Sequence, residues 1–153
     1  MKPLILIQEK TFEKARKEIK KNQGKEIIFS SEDDELNRKI LEKEPVNILL
    51  LNQEKRKDFQ KQRNSGLNHV LAKIAKKNNV KIGINIDEII DSKDKSEILA
   101  RVKQNIMICN KNKLKMIFIS VKKNQRNLHD LKSLGLILKM PTWMTKDLDL
   151  YVI

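Results

Sequence analysis

Apolar and polar positions divide this chain into short, wholly apolar runs and longer amphipathic ones. Leu4 to Ile7 is the first apolar run and predicts a strand. Thr11 is placed to cap a helix whose apolar positions are Phe12, Ala15 and Ile19, and Gly24 closes it, as glycine commonly does past a helix C-terminus. Ile27 to Phe29 is a second strand. After Ser30-Ser31, the acids Glu32 to Glu35 gather in a first helical turn, where the positive end of the dipole favours them. Leu36, Ile40 and Leu41 face inward from that helix, and Pro45 stops it. Val46 to Leu51 is a third, fully apolar strand, and Asn52 to Gln62 reads as a polar loop or short helix.

The stretch from Arg63 to Ile86 organises the rest. A turn at Asn64-Ser65-Gly66 leads into a helix with Leu67, Val70, Leu71, Ile74 and Ala75 at the spacing of one buried stripe. His69, Lys73, Lys76 and Lys77 fall on another face. Lys81 to Ile86 follows as a strand buried on both sides. Asp87 to Lys93 reads as a connection. Asp94 and Glu97 then have the spacing of a capping box, opening a helix with Ile98, Leu99, Val102, Ile106 and Cys109 inward. Lys115 to Ser120 is a fifth strand, Val121 to Asn127 a basic loop, and Leu128 to Met140 a helix through Leu131, Leu134 and Leu138, ended by Pro141. Leu148 to Ile153 predicts a last short strand. Strands alternating with helices imply a parallel sheet with right-handed crossovers. Residues 1–153 read as a single domain without repeats or linkers.

Composition narrows the partners. The formal charge is +13, and it is unevenly placed. Residues 1–54 hold 11 basic and 11 acidic side chains, so residues 55–153, with 22 and 9, carry the whole excess of 22 − 9 = +13. No acid lies between Glu97 and Asp130, where Arg101, Lys122, Lys123 and Arg126 stand. A polyanion suits such a surface. A general drift toward lysine would affect the whole chain, and the balanced first third does not show it. Aromatic residues are only 4%, which favours recognition of folded RNA by shape and backbone over base stacking along single strands. Cys109 is a lone cysteine on an apolar helix face, read as a buried thiol in a reducing cytoplasm. No apolar run reaches membrane-spanning length, and Met1 to Ile7 is too short for a signal peptide.

Residues 65–80, S-G-L-N-H-V-L-A-K-I-A-K-K-N-N-V, resemble the central signature of archaeal ribonuclease P protein component 3, the family of the thirty-kilodalton subunit of eukaryotic ribonuclease P and MRP. The resemblance extends over about residues 33–140. Asn37-Arg38-Lys39 before Val46-Asn47-Ile48-Leu49 is similar to the family's N-R stretch before its V-D-I-L strand. Asp130-Leu131-Lys132-Ser133-Leu134-Gly135 is similar to its closing D-L-x-S-L-G helix, with Arg126 in place of an arginine of that motif. The resemblance implies a fold like a TIM barrel. A full barrel needs about 250 residues, and five strands with a short sixth imply an incomplete, partial barrel lacking the first βα units. It also implies a protein subunit of an endoribonuclease that matures the 5′ end of tRNA, with catalysis and magnesium belonging to the RNA. The implied partners are ribonuclease P RNA, precursor tRNA indirectly, and protein component 2, in a homo-oligomer or heterotetramer away from any membrane.

Only two histidines, His69 and His129, are present, in different elements, and no phosphate-cradling glycine loop appears. No catalytic or metal-ligating set is therefore assigned to the protein. Asp87, Glu88 and Asp91 stand at a strand end, where barrels keep catalytic groups, but an exposed helix start explains them equally well. The candidate RNA-binding residues are Arg63, His69, Lys73, Lys76, Lys77, Arg101, Lys122, Lys123 and Arg126. A solvated face explains any single lysine; arginine binds phosphate bidentately. The rival reading is a degenerate barrel phosphoesterase, dependent on metal and acting on nucleic acid by itself.

Overall fold

A computed structural model describes residues 2–153. The elements in chain order are β1 (Leu4–Gln8), α1 (Phe12–Lys21), β2 (Glu26–Ser30), α2 (Asp34–Lys43), β3 (Ile48–Leu50), α3 (His69–Lys77), β4 (Lys81–Asn85), α4 (Ile86–Asp91), α5 (Lys95–Lys111), β5 (Met116–Ser120), α6 (Leu128–Ile137), α7 (Thr142–Lys146) and β6 (Leu150–Val152). The six strands lie side by side in chain order, every neighbouring pair parallel. The inward residues of the helices join one cluster with one side of the sheet, the arrangement of a barrel wall.

The sheet has two apolar sides of unequal size. On the helix side, Ile27, Phe29, Leu49, Ile82, Ile84 and Phe118 pack against the inward stripes of the helices. On the opposite side, Ile28, Ile48, Leu50, Ile117 and Ile119 form a second, smaller cluster flanked by Leu4, Leu6 and Tyr151. Gly83 of β4 explains how this side curls. Side chains of β3 and β5 close over it, so that an added Cβ would lie 2.5 Å from Ile119 Cδ1 and 3.3 Å from Ile48 Cγ2. The curl carries Tyr151 of β6 toward Glu26 of β2, four strands away. Burial, and then the Glu26 charge, push its phenol pKa up. The result is a half-barrel with open edges at β1 and β6.

Local rules hold at most helix starts. Thr11, Asp33, Asn68, Asn85 and Asn127 each accept a backbone N–H from the first turn they cap. Five expectations need correction. Residues 87–93 are not a plain connection, because Asn85 caps α4 through Asp87 and Glu88 N–H. No capping box forms at Asp94, whose side chain makes no cap bond, while Glu97 turns to Arg101 at 3.7 Å. Val70 is 53% exposed. Because α3 begins at His69, its buried stripe is Leu71, Ala72 and Ala75, and Leu67 packs from ahead of the helix. The expected helix over 128–140 ends at Ile137; Lys139 takes a left-handed φ of 68° and Met140 N–H returns to Gly135 O. A separate short helix, α7, then follows Pro141.

Candidate nucleic-acid interface

The C-terminal ends of the strands are organised by side chains that the chain order scatters. Asn85 donates to Asn52 Oδ1 at 2.9 Å, and Asn52 donates to Ser30 Oγ at 3.3 Å, so a polar row crosses the tops of β4, β3 and β2. Beyond it stand two carboxylates from the first turn of α4. Asp87, 2% exposed, accepts from Ser120 Oγ at 3.1 Å and from Lys122 N–H at 2.9 Å. Asn124 N–H also donates to Ser120 Oγ, which ties the whole loop after β5 to one carboxylate. Glu88 accepts from Gln53 N–H at 2.8 Å and Glu54 N–H at 3.3 Å, and so fixes the start of the loop after β3. Burial pushes the Glu88 carboxyl up, against these bonds. Asp87 and Glu88 are thus neither an exposed helix start nor free groups; each holds a loop. A cleft of about 280 Å³ lies between Asn52, Glu88, Asp91 and Lys122. Among the described residues no three His, Cys, Asp or Glu side chains are grouped to hold a metal ion.

The sequence-predicted cations fall into separate groups. Lys122, Lys123 and Arg126 share the loop after β5. Lys122 donates to Asp91 Oδ2 at 2.7 Å, a bond that pushes the lysine pKa up and holds the Asp91 carboxyl down. Both groups are open to solvent, so the pair is worth little to stability and can open to a phosphate. Lys123 is exposed in a left-handed conformation, φ 60°, and Arg126 is half-buried with its Nε enclosed. On the flank, His69, Lys73, Lys76 and Lys77 are all exposed along α3. His69 Nδ1 lies 3.0 Å from Asn112 Nδ2, and Lys76 donates to Lys113 O at 2.8 Å. Asn112 and Lys113 follow the end of α5, whereas Lys95, near the strand tops, begins it. A 17-residue helix is about 25 Å long, and His69 and Lys76 stand at its C-terminal end.

Arg101 does not belong to this surface. It is 3% exposed, and its guanidinium donates to Asp58 Oδ1 (2.9 Å), Gln53 O (3.0 Å) and Arg56 O (2.8 Å). Its role is to hold the loop of residues 52–66. A second arginine helps: Arg56 forks onto Asp34 with two 3.0 Å bonds and donates to Asn52 O at 2.7 Å. Gly66, at φ 80°, is bare beneath it, since a Cβ there would meet Arg56 Nη2 at 2.6 Å. Arg63 is exposed at the loop's end, 3.3 Å from Asp58 Oδ2. Charge counting by itself could not separate Arg101 from the exposed cations. The available signal was position, because Arg101 falls beside the inward-facing Ile98 and Val102 of its helix.

Parallel strands in chain order under one helical layer define a barrel-type βα half, here with a cationic rim and flank. No family model matches the chain. Over 93 residues, 60% of this chain, it is 30% identical to ribonuclease P protein component 3 of Methanococcus vannielii, and the match covers 38% of that protein. The matched stretch of this chain is thus similar to ribonuclease P protein component 3, the likeness that its central helix suggested. The fold is similar to that of a chain in a cryo-EM structure of archaeal ribonuclease P with mature tRNA: TM-score 0.78, 23% identity, covering 95% of this chain and 63% of that one. The present chain thus spans less than two thirds of either relative. No helix is long and apolar enough to cross a membrane among the described residues.

Proposed function

We propose that this chain is an RNA-binding protein subunit of ribonuclease P, assisting the catalytic RNA in endonucleolytic removal of the 5′ leader of precursor tRNA. The 30% identity with component 3 over 93 residues carries the reading. The cation surface supports it: each phosphate neutralised by Lys73, Lys76, Lys77, Lys123 or Arg126 releases counterions, and such contacts position RNA without reading sequence. Lys122, His69 and Arg63 complete the set; Arg101 leaves it. The chemistry, with its magnesium, rests with the RNA. Component 2 is the proposed protein partner, in a heterotetramer or with a second copy of this chain, in the cytoplasm.

Reconstitution tests this directly. Cognate RNA and component 2 are assayed on precursor tRNA with and without this chain. Addition of the chain should raise cleavage at physiological salt. Arg126→Ala should impair it more than Lys17→Ala or Lys20→Ala in the charge-balanced first third, with partial rescue by more magnesium. Equal losses at all three positions would refute the mapping. If protein free of RNA cleaves precursor tRNA, the phosphoesterase reading replaces this one.

A further inference from the structure

Phe59 stands apart from the other phenylalanines of the chain. Phe29 and Phe118 are fully buried, and Phe12 is half-buried beneath Lys39 and Lys43. Phe59 is 57% exposed, and no other Phe, Tyr or Trp among the described residues is comparably open to solvent. It sits in the loop after β3, and that loop is held firmly. Asp58, directly before it, accepts from Arg101 Nε at 2.9 Å, Asn64 N–H at 2.9 Å and Arg63 Nη1 at 3.3 Å. The ring therefore projects from a backbone whose ordering is already provided by α5, which lowers the entropic cost of using it.

Its neighbours indicate what it meets. Lys55, Lys57 and Lys61 are exposed, and none forms an ion pair among the described residues. Gln60 and Gln62 are its other near neighbours along the loop, so the segment 55–63 carries no apolar side chain besides Phe59; the other large exposed apolar residues lie on α3, α5 and α6. A protein-binding anchor would be ringed by apolar area depleted of charge. An aromatic face among cations instead matches a nucleobase flanked by its phosphates. We infer that Phe59 is a stacking platform for one unpaired base of RNA, with Lys55, Lys57 and Lys61 contacting the adjoining phosphates. The inference deepens the RNA-binding reading and rests on it. It concerns a single base protruding from folded RNA, so it agrees with the low aromatic content of the chain.

The test is fluorescence anisotropy with the full chain and three labelled RNAs: a blunt duplex, the same duplex with a short single-stranded extension, and the duplex with an abasic extension that keeps the phosphates. The wild type should bind the base-bearing extension roughly tenfold more tightly than the abasic one, within the range of one base–aromatic stack. Phe59→Ala and Phe59→Leu should erase that preference and leave blunt-duplex binding unchanged, while Phe59→Trp keeps it. Circular dichroism on each variant checks the fold. Equal wild-type affinity for the two extensions, or a preference that survives Phe59→Leu, overturns the stacking inference while RNA binding stands. Absence of binding to all three overturns the RNA-binding reading and the inference together.

Discussion

Arg101→Ala distinguishes a fold-holding arginine from an RNA-contacting one. The side chain is 3% exposed and serves three acceptors on the 52–66 loop. Its loss leaves the Gln53 and Arg56 carbonyls without their donor and Asp58 without its main partner. Removing one member of a buried charge pair costs about 3–5 kcal/mol. The Asp58 side chain is 28% exposed, and water can reach it, so the expected loss is about 2–4 kcal/mol. For a chain of this size that lowers Tm by roughly 5–15 °C. Arg101→Lys should recover less than half, because one ammonium nitrogen cannot span the three acceptors that Nε, Nη1 and Nη2 reach separately. Urea unfolding measures the global effect. Trypsin reports the local one, since Lys55, Lys57 and Lys61 all lie in the released loop. The Arg101 hydrogen bond holds the Asp58 carboxyl below its ordinary value of 3.8. A depressed carboxyl stabilises above the unfolded value and loses that contribution as pH falls through the folded one. Loop protection should therefore persist at neutral pH and fade only below about 3.8. A variant with unchanged stability and trypsin sensitivity but weakened RNA binding would refute this assignment.

Two further outcomes probe the two apolar sides. Gly83→Ala should destabilise by about 1–3 kcal/mol through overpacking, and Ile119→Val in the same chain should restore part of it, because the new Cβ meets Ile119 Cδ1. Strictly additive effects in urea unfolding would mean that the side chains do not close over β4. Burial pushes the Cys109 thiol up to about 12, so a thiol reagent at mildly alkaline pH should label it only after denaturant is added; fast labelling of native protein contradicts the packing of α5.

The class of fold was legible in the sequence because its signals are local. Short apolar runs such as Ile48–Leu50 between turn residues read as strands covered on both sides, and a cap such as Thr11 acts within its own turn. The excess of charge after residue 55 likewise needs no structure to be seen. Strand order was not legible, since alternating strands and helices fit both a doubly wound sheet and a barrel wall. Tertiary pairing selected the sequential order. Nor could spacing tell a cation at the surface from one inside: Arg101 and Lys103 differ by two residues, and 200° of helical rotation buries one and exposes the other. The α4 start shows the same limit. The reading of 87–93 as a connection missed that Asn85 caps a helix, and that Asp87 and Glu88 hold the loops after β5 and β3 depends on residues 30 or more positions apart. Such contacts exist only once the sheet has brought the strand ends together.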